Sequence, residues 1–140
     1  MKPFTVSQVD HIVLRVRDMH KSLRFYVDIL GLEIARRNDH YSMIHIRAGA
    51  SMIDLIDVEG LLGRQGGEPA GSSGRNVDHF CLRIDPFDEA ALIRYFAQFD
   101  ITVGRAESRY GAEGEGLSVY CIDPDGNTVE LKGPSVDPQG

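Results

Sequence analysis

Two histidines and two carboxylates recur at matched positions along this chain. His11 stands in VDHIVLRV (9–16) and His79 in VDHFCLRI (77–84), an offset of 68 residues. Asp54 and Glu130 sit in the runs MIDL and TVEL, eight residues after Ile46 and Ile122 respectively. Imidazole nitrogen with carboxylate oxygen is a donor set that suits a first-row divalent metal. A lone histidine on a strand is usually a surface or core residue, and a lone acid is usually a solvated charge. Recurrence of both types at equivalent places makes metal chemistry the stronger reading. His20, His40 and His45 have no counterpart in the other half and read as surface or strand residues. Cys81 and Cys121 lie inside apolar runs with no CxxC spacing. They read as two buried free thiols, neither a disulfide nor metal ligands.

The elements that position these residues repeat as well. After each histidine strand comes an apolar set at helical spacing: Leu23, Tyr26, Val27 and Leu30, then Leu92, Tyr95, Phe96 and Phe99. Gly31 falls where a helix C-cap is expected. Two strand-like runs follow in each half, SMIHIR (42–47) with SMIDLID (51–57), and LSVYCI (117–122) with NTVELK (127–132). The second pair is joined by Asp-Pro-Asp-Gly, a strong turn signal. The pattern gives an α+β chain of two βαβββ modules, about 9–57 and 77–133, in a single domain spanning 1–140. Segment 58–75 carries six glycines and one proline and reads as a mobile connector, suited to a lid.

Side chains alternate faces along a strand. Ile12, Leu14 and Val16 share the face that packs on a helix, which leaves His11, Val13 and Arg15 opposite. Phe80, Leu82 and Ile84 likewise oppose His79, Cys81 and Arg83. The same alternation sets Asp54 with Met52 and Ile56, and Glu130 with Thr128 and Lys132. Pairing of the modules by a pseudo-twofold axis would bring His, His, Asp and Glu to one concave surface.

Composition excludes other classes. The chain has 140 residues, 42% apolar and 26% charged, and a formal charge of −6, ordinary for one globular domain. The sequence pI of about 5.3 argues against nucleic acid, which needs a basic footprint. No apolar run approaches the roughly 20 residues that span a bilayer. The N-terminus has no apolar signal core, so the expectation is a cytoplasmic protein without membrane partners.

The segments DHIVLRVRD (10–18), SLRFYVDILGLEI (22–34), DHFCLRI (78–84) and DPDGNTVEL (123–131) resemble the vicinal oxygen chelate superfamily, over about 9–133. That superfamily includes glyoxalase I, extradiol ring-cleaving dioxygenases and bleomycin-resistance proteins. The resemblance implies a cupped eight-stranded mixed sheet, with one divalent metal (Ni, Co, Mn, Fe or Zn) held by His11, His79 and Glu130. Small glyoxalase I-like proteins are the most similar in layout. They imply a homodimer, a small-molecule substrate, Glu130 as the proton-moving base and Asp54 as a fourth ligand where the family usually has Glu. Arg15 is similar to the glutathione-contacting arginine, with a strand-edge salt bridge as the alternative. Arg109, in the glycine-rich stretch 107–116, reads as an anion contact or as part of a plain surface hairpin. Glyoxalase-like lyase/isomerase chemistry is the first expectation. An Fe(II) extradiol dioxygenase is the second, with Tyr120 contacting substrate or merely packing in the core. That reading lacks the acid–base histidine such enzymes carry before their second ligand. A metal-free binding protein and a fosfomycin-type thiol transferase are further alternatives; the retained ligands argue against the first.

Overall fold

The computed structural model describes residues 2–136. The chain divides into two compact units, one up to Pro69 and one from Ala70. The boundary lies inside the glycine-rich connector. Among the described residues no helix is long and apolar enough to cross a membrane.

In the first unit β1 (His11–Val16) leads into helix α1 (Met19–Leu23), which continues as a wider π-wound segment, Arg24–Ile29. Then come β2 (Glu33–Asn38), β3 (Met43–Ala48) and β4 (Ser51–Asp57). The sheet order is β1-β4-β3-β2, with β1 parallel to β4 and the other pairs antiparallel. The second unit repeats this with β5 (Phe80–Arg83), α2 (Glu89–Ala97), β6 (Glu107–Gly111), β7 (Gly114–Ile122) and β8 (Thr128–Ser135), ordered β5-β8-β7-β6. Two βαβββ modules with four-stranded mixed sheets are therefore present. The stretch 107–116 is a β-hairpin, not an open loop: Glu107 to Gly111 pair with Ser118 to Gly114.

Local chemistry explains the starts and stops. Asp18 and Asp88 hold the same extended conformation, and each accepts from the backbone N–H three residues on, at 3.1 Å. These are matched N-caps. Gly31, at φ +80, takes the left-handed position after the first helix. The helical face differs from its expected composition. Ser22, Phe25, Tyr26 and Ile29 are the buried residues there, while Leu23 and Val27 are half-buried. The segment is wound wider, with Leu30 N–H donating to Phe25 O.

Leu14, Val16, Ile44, Ile46, Ile53 and Leu55 fill the core of the first unit; Val119, Cys121, Val129 and Leu131 are buried in the second. The alternation assigned to the strands holds: Leu14 and Val16 are buried, while His11 and Val13 are exposed.

The Asp-Pro-Asp-Gly turn fixes the register of β7 on β8. The buried Asp123 carboxylate accepts from the N–H groups of Asp125 (2.9 Å) and Asn127 (2.8 Å), and from the Asn127 side-chain amide (2.9 Å). Gly126 follows at φ +87. With the turn closed this way, Tyr120 pairs with Glu130. Asp123→Ala strips three buried donors of their acceptor. The expected cost is about 2–4 kcal/mol, read as a lower urea midpoint at unchanged slope.

Candidate metal-binding site

Each unit builds a histidine–carboxylate pair from its first and last strands. In the first unit β1 lies beside β4 in parallel, with Val13 opposite Asp54. His11 Nδ1 is 2.7 Å from the Asp10 carboxylate and its Nε2 is 4.0 Å from Asp54 Oδ2. In the second unit Cys81 pairs with Glu130 across β5 and β8. His79 Nδ1 is 2.7 Å from the Asp78 carboxylate and its Nε2 is 3.3 Å from Glu130 Oε1.

Both rings thus show one arrangement. The preceding aspartate engages Nδ1, and Nε2 turns toward a buried carboxylate. Asp54 is 3% exposed and Glu130 is 5% exposed. An acidic partner on one ring nitrogen fixes the tautomer and makes the other nitrogen more basic, as around metal-binding histidines. The Asp10 hydrogen bond is the largest influence on His11 and raises its pKa, with Asp54 adding to the shift. The reciprocal contact with His79 lowers the Asp78 carboxyl.

His45 is a strand residue, as expected, in β3, and its side chain also meets a carboxylate. It faces Asp54 across the β3–β4 hairpin, its Nδ1 3.1 Å from Asp54 Oδ1. The approach misses hydrogen-bond geometry, and Asp54 Oδ1 has no hydrogen-bond partner among the described residues. A buried carboxylate oxygen left in this state is costly, and a cation beside it would relieve the cost. A signal for His45 was present: positions 45 and 54 fall opposite one another when counted outward from Gly49-Ala50. Among the described residues no three His, Cys, Asp or Glu side chains come together as a group that could hold a metal.

Around Glu130 the second unit gathers Tyr120 and Cys81. The Tyr120 ring meets the His79 ring edge-on at 5.6 Å between centroids. Desolvation, then the Glu130 charge, raises the Tyr120 hydroxyl above its ordinary pKa. Cys81 was expected to be buried, yet it is exposed, because alternation sets it between His79 and Arg83 on the open face; Cys121 is buried as expected. Desolvation and the Glu130 charge push the Cys81 thiol up to about 11, so it stays protonated and is a poor nucleophile.

Both arginines are engaged elsewhere. Arg15 donates to the carbonyls of Gly63 (2.8 Å), Gly67 (2.5 Å) and Glu68 (3.1 Å). It thereby fastens part of the connector that was expected to be mobile, and Gly66 leaves room for its guanidinium. Arg109 lies 4.6 Å over the Tyr120 ring, pairs with Glu107 at 3.1 Å and reaches Ser118. Of the two readings for residues 107–116, the hairpin is the one found.

Comparison with known proteins agrees with this architecture. The Salmonella typhimurium virulence protein STM3117 is 30% identical over 127 residues, spanning 90% of this chain and 83% of that protein. Its crystal structure superposes with a TM-score of 0.73 at 26% identity, covering 94% of this chain and 99% of that one. The metallothiol transferase FosB of Staphylococcus epidermidis is 26% identical over 128 residues, 90% of this chain and 81% of its own length. The profile of the glyoxalase/bleomycin resistance protein/dioxygenase superfamily matches residues 8–131, and the chain belongs to that superfamily.

Proposed function

We propose that this chain is a metal-dependent enzyme acting on a small molecule that offers two neighbouring oxygens. His11 of the first unit and His79 and Glu130 of the second are the proposed ligands, with Asp54 as a fourth donor. The carrying observation is the repeated aspartate–histidine–carboxylate arrangement, with Nδ1 engaged at 2.7 Å in both halves. The Asp54 oxygen that lacks a hydrogen bond and the N/O donor set both fit a divalent ion. Ni, Co, Mn, Fe and Zn all accept such donors. Bound there, the metal supplies Lewis acidity toward the two substrate oxygens.

The chain's own part is to bind, orient and move a proton. Glu130 is the proposed base, shuttling a proton between adjacent carbons in a glyoxalase-like isomerisation. Asp78 and Asp10 keep the two imidazoles oriented. Tyr120 packs against His79 and borders the place where substrate would lie. The proposed working form is a homodimer, carried over from the resemblance to small glyoxalases. The relative named as a metallothiol transferase favours a second reading, metal-assisted addition of a thiol to an electrophile. An iron-dependent ring cleavage is a third.

Elemental mass spectrometry of tag-free protein beside His79→Ala tests the site. Near one metal per chain, lost in the variant, is expected. No metal after reconstitution with each candidate ion would overturn the enzyme reading. Anaerobic turnover of a hemithioacetal would select isomerisation, and oxygen uptake with a catechol would select the dioxygenase.

A further inference from the structure

The second unit contains a cavity of about 270 Å³ bordered by His79, Glu130, Arg83, Lys132 and the β6–β7 turn. Lys132 is unusual for its type. It is 5% exposed, although lysine is rarely fully buried unless paired. Its Nζ donates to Gly114 O at 3.0 Å, and no carboxylate among the described residues pairs with it. Arg83, across the cavity, is already neutralised by Glu113 at 2.5 Å.

The hairpin is shaped around this lysine. A Cβ on Gly111 would meet Lys132 Cε at 2.9 Å, and one on Gly116 would meet Lys132 Nζ at 2.8 Å. Glycine at both places leaves a channel along which the side chain runs. The run GAEGEG (111–116) thus makes room for a buried cation. A buried ammonium without a counter-charge is expensive. Glu130, two residues away on the same strand face, has its backbone roughly 7 Å off by strand rise, and it is the proposed metal ligand. Glu130 is turned to His79 at 3.3 Å, so the Lys132 ammonium has no anion at ion-pair distance among the described residues even without a metal.

We infer that Lys132 is the anchor of an oxyanion subsite: the cavity takes a substrate whose chelating oxygens lie toward Glu130 and His79 and whose carboxylate or phosphoryl group lies on Lys132. This deepens the metal-enzyme reading by naming the substrate class, an anionic small molecule, and rests on that reading only for the chelating end. The remaining N–H groups of the ammonium donate to the oxygens of either group in charge-assisted hydrogen bonds.

The test is calorimetric titration of the full-length chain with inorganic phosphate and with acetate, in EDTA, comparing wild type with Lys132→Met and Gly111→Ala. Lys132→Met keeps the volume and removes the charge. Gly111→Ala displaces only the lysine tip, since the nearest atoms to the added methyl are all on that side chain. Wild type is expected to bind at least one anion, and both variants to lose at least about tenfold in affinity. The melting temperature of Lys132→Met is expected to hold or rise, which a purely structural lysine would not allow. Wild-type anion affinity in both variants, or no binding of either anion by wild type, overturns the subsite. Separate titration with Mn(II) distinguishes the two readings. Anion binding lost on substitution, with no metal bound, removes the metal centre and keeps the subsite. Metal binding unchanged in Lys132→Met, with no anion bound by wild type, does the reverse.

Discussion

Glu130→Gln is expected to lower turnover by about 10²–10⁴-fold while the fold and melting temperature stay near wild type. The amide keeps the shape of the carboxylate in a strand whose neighbours, Val129 and Leu131, are buried, so packing is preserved. What it loses is the ability to accept a proton. It also loses the charge that His79 Nε2 faces at 3.3 Å, so metal affinity is expected to fall as well. The two effects separate by assaying at saturating metal: a rate that recovers fully with added metal leaves Glu130 as a ligand only. A variant with wild-type kcat under those conditions removes it from proton transfer.

Particular residues show how far the sequence could be read. The repeat and the period-2 alternation were enough for both modules, and they set His11 on the face of Asp54 and His79 on the face of Glu130. Alternation gives the face on which a side chain starts. It does not say where a long side chain ends. Arg15 leaves β1 on the expected face, yet its guanidinium finishes on three connector carbonyls. Lys132 was legible only as a neighbour of Glu130 on the strand; that two glycines of the next hairpin make way for it is a fact of tertiary packing. The face buried by the first helix was misjudged because two overlapping sets share helical spacing, Leu23, Tyr26, Val27 and Leu30 beside Ser22, Phe25, Tyr26 and Ile29, and the second is the one buried. Cys81 shows the converse, because its exposure follows from the same alternation that placed His79, and an apolar run alone misled. His45 lay within reach through hairpin counting, but symmetry with the other half was the criterion, and His45 has no mate there.

Asp54→Asn is expected to act in two opposite directions, and that opposition identifies its role. The carboxylate is buried in β4 with His45 on one side and His11 on the other, and Oδ1 has no hydrogen-bond partner. In metal-free protein a buried charge so incompletely satisfied opposes folding. Replacing it by an amide of equal size is expected to raise the melting temperature by a few degrees, the equivalent of about 1 kcal/mol. With metal present the sign reverses. The same oxygen is the donor proposed for the ion, directly or through water, so affinity is expected to drop about 10–100-fold and the metal-dependent gain in melting temperature to shrink with it. Asparagine can still offer a carbonyl oxygen, so Asp54→Ala is the stricter variant for affinity and Asp54→Asn the cleaner one for stability. Unchanged metal affinity in both reduces the site to His11, His79 and Glu130 and leaves Asp54 as the strand's own buried charge. A fall in melting temperature without metal would mean instead that the flanking histidines already compensate it. The strain-relief argument for a cation at Asp54 would then be wrong, whatever the metal content proves to be.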